Sequence, residues 1–272
     1  MVKKRPAAKI DARQGPRLPA ELPERAAEDP TLAASLSPNG LERLQWFGFR
    51  REAAHTARLE VLHEILRRER LPRYPEVDRL EQRFGGLLKT YRHSASWIFF
   101  GAYGMLADPA QSADHADAAA GCDALESGDD WPRVRFEGEA LVPVGGHVDA
   151  TYYAAPGGSL LAHDWVTDTV EKAADEAPVL VERVLLRLMF AERARGAIGG
   201  ALDVPAHAAV ALAAALNLRE AAFATDALER WWEDAPGHTL LVQTSKGDAR
   251  LATNDPSVLA SARSFQAQRS CT

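Results

Sequence analysis

The sequence of 272 residues contains only two cysteines and no long apolar run. Cys122 and Cys271 are too few for a disulfide scaffold or a thiolate zinc site, so we expect free thiols. A membrane span needs about 18 to 20 uncharged apolar residues, which no window supplies. The N-terminus, Met1-Val-Lys-Lys-Arg, leads into Pro and Ala instead of an apolar export segment. We therefore expect a cytoplasmic protein without a membrane partner.

The sequence also lacks the short motifs of common catalytic and nucleotide sites. No Gly-x-Ser-x-Gly string is present to hold a serine nucleophile on a strand-to-helix turn. Neither Gly-x4-Gly-Lys-Ser/Thr nor Gly-x-Gly-x-x-Gly, the glycine-rich motifs that bind phosphate groups, is present. A zinc hydrolase motif is also missing, because no histidine follows His63-Glu64 four residues after His63. No stripe of Lys and Arg interleaved with aromatic residues predicts direct nucleic-acid binding. We expect no cofactor and no nucleic-acid partner.

Negative charge is concentrated in one segment. The formal net charge is −6, whereas residues 101–180 hold 15 acidic and 3 basic residues and so carry −12. One interpretation is a solvated acidic face that keeps the protein soluble. The other is a docking surface for a basic partner, which such a field would attract and steer. Charge distribution alone leaves both interpretations open.

The first half of the chain predicts a tail followed by a helical hairpin. Residues 1–38 are Pro-rich and have no sustained apolar period, which is typical of a tail or linker. The range Glu52–Arg70 has apolar residues at the spacing of one helix face. A second short helix is predicted from about Pro75 to Phe84, where Gly85-Gly86 ends it.

Short β-prone runs then replace the helical period. They are separated by Gly-rich turns, which favour an antiparallel meander over crossover helices. The predicted strands are Trp97–Phe100, Arg133–Glu137, Ala140–Val144, Val148–Ala154 and Ser159–Trp165. The range Glu176–Arg195 has a broad apolar face and should form a helix that covers this meander.

Residues 201–272 predict an accessory region of helices and one hairpin. An Ala-rich helix is expected at Ala206–Leu216, and a further helix should end near Trp231-Trp232. A hairpin is expected from His238–Thr244 and Asp248–Thr253, and Asp255-Pro256 should open a last helix. The predicted fold class is α+β, with an antiparallel-rich sheet of about four to six strands flanked by helices.

One cluster offers metal-binding side chains. His147 with Asp149, and His163 with Asp164, lie on adjacent predicted strands and together form a set of four potential ligands. Against a metal site, His163 and Asp164 are neighbours in a strand and should point to opposite faces. Isolated histidines are also common at protein surfaces. A metal-dependent hydrolase using His147 and His163 is therefore the weakest functional hypothesis.

The order of several short motifs resembles the SUKH superfamily of bacterial immunity proteins, which is related to the Smi/Knr cell-wall regulators. The match is closest to the subgroup that opens with Trp-x-x-x-Arg before a helix. The corresponding motifs here are Trp46-Phe-Gly-Phe-Arg50, Phe84-Gly85-Gly86-Leu87, Asp108-Pro109, Pro143-Val144-Gly145 and Gly157-Gly158-Ser159-Leu160-Leu161. The resemblance covers about residues 41–195, which we expect to form the SUKH-like domain.

The resemblance implies an α+β fold and a non-enzymatic role as an immunity protein. Such a protein binds a cognate toxin domain, frequently a nuclease or a deaminase, and neutralises it by covering its basic active site. The Pro-rich tail, the acidic insertion at Asp108–Asp130 and the region after Gly200 depart from the family pattern. These departures leave the class of partner open.

The leading hypothesis combines the resemblance with the acidic segment. Acidic and aromatic side chains on a rigid scaffold would imitate phosphate charge and occlude a basic toxin cleft. The predicted partner-contact residues are Asp129, Asp130, Asp149, Tyr153, Asp164 and Trp165. The alternative is a regulatory interaction adaptor of the same fold.

Overall fold

The computed structural model describes residues 29–52, 56–90, 97–107, 123–126, 131–147, 149–195, 200–234 and 237–270. The predicted contact residues Asp129 and Asp130, the Asp108-Pro109 motif and both cysteines lie outside the described residues.

The described residues form helices and strands in an α+β arrangement. The helices are α1 (Pro30–Ala33), α2 (Pro38–Phe47), α3 (Leu59–Arg68), α4 (Pro75–Phe84), α5 (Ala102–Ala107), α6 (Ala177–Arg195), α7 (Ala209–Ala215) and α8 (Pro256–Ser270). The first strands are β1 (Arg50–Arg51), β2 (Leu87–Thr90), β3 (Trp97–Phe100), β4 (Val134–Phe136), β5 (Glu139–His147), β6 (Ala150–Ala154), β7 (Leu160–Asp164) and β8 (Thr169–Ala174). They are followed by β9 (Gly200–Pro205), β10 (Arg219–Glu220), β11 (Glu229–Glu233), β12 (Thr239–Thr244) and β13 (Asp248–Thr253). None of these helices is long and apolar enough to cross a bilayer.

The first sheet has eight strands, in the order β1-β2-β3-β5-β6-β7-β8, with β4 paired to β5. Every pair in it is antiparallel, and β5 to β8 form the expected meander. The predicted fold class is confirmed, but the strand number is higher than expected. The short edge strand β1 and the polar edge strand β8 show little of the apolar alternation on which the prediction relied.

The second sheet has five strands, in the order β10-β11-β12-β13-β9. The hairpin of β12 and β13 was predicted, whereas the predicted helix ending near Trp231-Trp232 is wrong, because both residues lie in β11. Successive side chains of a strand point to opposite faces. Trp231 packs against α6, and Trp232 packs in the cluster that includes α7, so both are buried on different sides of the sheet.

Helix α6 lies between the two sheets. Leu180, Val181, Val184 and Leu185 belong to the core against the first sheet, while Leu186 and Met189 pack with Trp231 of the second. A helix buried on both sides must also bury its polar positions, here Glu182, Arg183 and Arg193. Such groups are tolerated in a core when they are paired or hydrogen-bonded.

The Arg183 guanidinium links β8 of the first sheet to the segment between β10 and β11 of the second. Its Nε donates to the Ala224 carbonyl oxygen at 3.0 Å, and its Nη1 donates to the Ala173 carbonyl oxygen of β8 at 2.5 Å. Its Nη2 forms an ion pair with Asp226, which precedes β11. One buried side chain on α6 therefore has partners on both sides, and it fixes how the sheets lie relative to each other.

The predicted tail boundary at residue 38 lies too late in the chain. Asp29 accepts a hydrogen bond from the Thr31 N–H at 2.8 Å and forms an ion pair with Arg51. Leu32 and Leu36 are buried in the main core. Residues 29–38 thus belong to the folded domain. Two leucines four residues apart form too short an apolar pattern to separate these residues from a linker by sequence.

Replacing Arg183 with Met should lower the free energy of unfolding by about 3 kcal/mol, because Asp226 and two carbonyl groups would lose a buried donor. Arg79→Met is the matched control. Arg79 is paired with Glu76 on the surface of α4, and its loss should cost less than about 1 kcal/mol. Urea denaturation of both variants measures the difference, and equal losses would contradict the bridging role of Arg183.

Candidate protein interface

Two turns meet at one end of the first sheet. One connects β5 to β6, and the other connects β7 to β8. Ala150 is paired with His147 on one side and with Asp164 on the other, which places both turns side by side. The Trp165 N–H donates to the Asp149 carbonyl oxygen at 2.9 Å. The structure therefore brings together three of the predicted contact residues, namely Asp149, Asp164 and Trp165.

The Asp164 side chain stabilises the turn between β7 and β8 by hydrogen bonds to the backbone of that turn. Its Oδ1 accepts hydrogen bonds from the Val166 N–H at 2.8 Å and from the Thr167 N–H at 2.9 Å. A short carboxylate that bonds to its own following backbone is a common way to fix a turn. The turn places Val166 in solvent, with 77% of its surface exposed. A single apolar side chain thus stands at the tip of a fixed turn.

Asp168 ends the same turn, and sequence reasoning missed it. Its φ of 50° lies in the left-handed region, which Asp adopts more readily than most residues. Its Oδ1 lies 3.2 Å from Nε2 of the buried His163, and its Oδ2 accepts the Asp123 N–H at 2.8 Å. These contacts bring the exposed Asp123 to the turn. The only available sequence signal was the Asp-Trp-Val-Thr-Asp spacing, with an Asp at each end.

We name this group the aspartate end surface. It consists of Asp123, Asp149, Asp164, Trp165, Val166 and Asp168. Trp165 is half-buried, and its Nε1 donates to the Thr151 hydroxyl at 3.0 Å, so its ring is oriented by the sheet below it. The surface therefore combines carboxylates, one aromatic ring and one apolar side chain on two turns that are held to each other.

The prediction that Tyr153 contacts a partner is wrong. Its side chain is fully buried in a cluster with Leu125, Val134 and Leu141. Strand β6 is buried on both faces, because α6 covers one face and residues 124–125 and 131–136 cover the other. A tyrosine in such a strand is a core residue whichever way it points. The covering segment could not be recognised from the sequence.

The proposed set of four metal ligands does not form. His147 lies in the same cross-strand row as Asp164, whereas His163 lies in the next row with Thr151 and points to the opposite face. Within the described ranges, no three His, Cys, Asp or Glu side chains are grouped so that they could hold a metal ion. The structure thus separates the two histidines on which the hydrolase hypothesis depends.

His147 lines a cavity of about 240 Å³ on the face of the sheet that α6 covers. Burial lowers the pKa of His147, while Asp149 and Asp164 only partly oppose this effect. Its Nδ1 accepts the Asp149 N–H at 3.1 Å, as a neutral imidazole can. In the same cavity, burial raises the pKa of Tyr152 to about 12. Arg187 and Lys172, which also line it, are paired with Glu229 and Asp175.

Asp164 remains ionised over a wide pH range. Desolvation alone would raise its pKa, but the N–H groups of Thr167 and Val166, together with the Thr167 hydroxyl, outweigh it and lower the pKa. With His147 neutral at pH 7, the end surface is dominated by carboxylates. The aspartate end surface is therefore an anionic patch of fixed shape, with the apolar side chain of Val166 exposed on it.

Two of the motifs on which the resemblance rests lie beside or within strands of this sheet. Phe84-Gly85-Gly86-Leu87 connects α4 to β2, and Pro143-Val144-Gly145 spans a register shift in β5. Comparison of the chain with protein-family models, with curated proteins and with solved structures gave no match.

Replacing Asp164 with Ala should free the Val166 and Thr167 amides and cost about 1 kcal/mol, as loss of a side-chain cap does. Asp164→Asn keeps an acceptor oxygen and should cost less. Hydrogen exchange of these two amides and urea denaturation measure the effect. Unchanged exchange in the Ala variant would show that Asp164 does not fix the turn.

The advantage of Asp164 over Asn should depend on pH. A carboxyl whose pKa is lowered on folding stabilises the fold above its unfolded-state pKa, and this contribution is lost as the pH falls through the folded-state pKa. We therefore expect the wild-type chain to exceed Asp164→Asn in stability at about pH 6 and to lose that excess progressively as the pH falls below about 4, the ordinary pKa of an Asp carboxyl. A difference that is constant between these conditions would contradict the lowered pKa.

Proposed function

We propose that the chain is a non-enzymatic binding protein that neutralises a basic toxin domain, in the manner of SUKH immunity proteins, and that it does so through the aspartate end surface. The single observation that carries this proposal is Val166, which is 77% exposed at the tip of a turn held by Asp164. Exposed apolar side chains are common singly. One that is fixed between carboxylates and beside a half-buried tryptophan is suited to recognition.

Pre-organisation favours binding by these turns. A flexible loop loses conformational entropy when a partner orders it, which weakens association. Here the Asp164 carboxylate, the bond from the Trp165 N–H to Asp149 and the Trp165 indole contact fix the surface before any partner arrives. The apolar tip and the indole can then supply short-range contact, since aromatic anchors dominate many interfaces.

The charge of the surface supports a basic partner. Toxin domains that cleave or deaminate nucleic acids need positive clefts to bind phosphate groups. An anionic surface accelerates association with such a cleft at low salt and is repelled by acidic proteins. The Asp164 carboxylate serves as an acceptor within the turn, and the Asp168 carboxylate accepts the Asp123 N–H from outside it; both contacts support a role in shape and charge and require no chemical step from the chain.

Co-expression with a toxin domain encoded beside this gene tests the proposal. The wild-type chain should restore growth, form a stoichiometric complex and inhibit the purified toxin. Asp149→Lys should reduce the association rate at low salt by about tenfold and flatten its salt dependence. The Asp149 side chain is exposed. The contacts of Asp149 in the turn are made by its backbone, whose N–H donates to His147 Nδ1 and whose carbonyl oxygen accepts the Trp165 N–H, so the variant should still fold. Stopped-flow or surface-based kinetics measure the rate.

Asp248→Lys is the matched control, because Asp248 is exposed on the second sheet and the variant changes the net charge by the same amount. It should associate nearly as fast as the wild-type chain. Val166→Ser should leave the association rate unchanged and increase the dissociation rate. Wild-type kinetics for both Asp149→Lys and Val166→Ser would place the interface elsewhere, and a bound but fully active toxin would contradict occlusion.

A further inference from the structure

A second cavity lies between α2, α6 and the second sheet, and it shares no lining residue with the aspartate end surface. Its volume is about 370 Å³, within the usual range of about 300 to 1,000 Å³ for small-ligand sites. Its apolar wall is formed by Phe223 and neighbouring alanines that precede β11. Its charged lining consists of Arg43, Glu182, Arg219, Glu220, Glu233 and Asp234.

Two buried carboxylates share one guanidinium at the base of this cavity. Arg43 hydrogen-bonds to Glu233 Oε2, while its Nη1 lies 3.7 Å from Glu182 Oε2, beyond hydrogen-bond distance. The three side chains are 6%, 9% and 1% exposed for Arg43, Glu233 and Glu182 respectively. One positive charge therefore faces two negative charges where water has little access.

The carboxylates are held in place by α2. Ser37 donates its N–H to Glu182 Oε1 at 2.7 Å, and the Asn39 amide donates to Glu233 Oε1 at 2.8 Å. A Cβ added to Gly40 would lie 2.3 Å from Glu182 Oε1, so the helix backbone packs directly on the carboxylate. Glu182 therefore has little freedom to turn away and reach solvent.

This arrangement lacks positive charge. At the rim, Glu220 is paired at 3.0 Å with Arg230, which lies outside the lining, so the excess of carboxylate lies at the base, where Glu182 and Glu233 share Arg43. An uncompensated buried charge is costly, and either a proton or a second cation removes the cost. Burial raises the pKa of Glu182, Glu233 acts in the same direction, and the Ser37 donors and Arg43 do not offset the rise.

Phe223 supplies a contact for the rest of a cationic ligand. It lines the cavity and is 55% exposed, so its ring is accessible to a ligand. An aromatic face attracts guanidinium and ammonium groups and also packs against methylene chains. The cavity therefore presents charge at its base and an apolar ring at its rim.

We propose that this cavity binds an organic cation carried on a flexible aliphatic chain, with the cation beside Glu182 and Glu233 and the chain against Phe223. The cation is a guanidinium or a primary ammonium group. Two sources share this chemistry, a free small amine and a basic side chain of a protein. This site is independent of the end surface and of its proposed role.

Calorimetric titration of the full chain with agmatine tests the site, and acetyl-Gly-Arg-Gly-amide tests the side-chain source. The same peptide with citrulline in place of Arg is the control ligand, because citrulline is similar in shape and carries no charge. We expect one saturable site and no binding of the citrulline peptide. Tighter binding of the Arg peptide than of agmatine identifies a protein side chain, and the reverse identifies a free amine.

Glu182→Gln should weaken binding of the positive ligand at least about tenfold, because it removes the excess charge while keeping an acceptor for the Ser37 N–H. Phe223→Ala changes an exposed residue, so it should fold normally and weaken binding a few-fold. Glu64→Gln on α3, outside the cavity, is the control and should bind as the wild-type chain does.

Binding should also release a proton from Glu182 at mildly acidic pH, since the cation favours the ionised carboxylate. Affinity should therefore rise with pH and then level off, and the rise should be absent in Glu182→Gln. Failure of both agmatine and the Arg peptide to bind at millimolar concentration would overturn the proposal. So would binding that neither Glu182→Gln nor Phe223→Ala weakens.

Discussion

The buried guanidinium of Arg183 is the contact on which the arrangement of the molecule depends. It lies on α6, between the two sheets, and has hydrogen-bond or ion-pair partners toward both of them. A charge buried without partners would be strongly unfavourable, so the two sheets can approach α6 only in positions that supply those partners. The apolar residues of α6 provide the burial, and Arg183 specifies the geometry.

This fixed frame sets the position of both proposed sites. The aspartate end surface lies where the meander of the first sheet turns, and its turns are bound to each other through Trp165 and Asp149. The cation cavity lies where α2 and α6 meet the second sheet, with Arg43 between Glu182 and Glu233. The region after Gly200 is therefore part of the framework of one of the sites, not an appended layer.

Sequence periodicity predicted the elements that have one clearly apolar face, such as α4 and the β12–β13 hairpin. Periodicity failed for strands β6 and β11, because both faces of each strand are buried. Trp231-Trp232 was assigned to a helix, and Tyr153 was assigned to the surface, because the layers that cover their second faces come from distant parts of the chain. Asp149, Asp164 and Trp165 could be found from turn chemistry and charge. Asp168 and the Glu182–Arg43–Glu233 group could not, since their roles arise from tertiary contacts.

The most direct test of the proposed binding role is hydrogen exchange of the chain, free and in complex with a basic toxin domain of the kind that the proposed function requires. The account predicts new protection confined to the turns at residues 149–150 and 164–169 and to the Asp123 amide. Protection on α7 and α8 instead, with these turns exchanging as in the free chain, would contradict it.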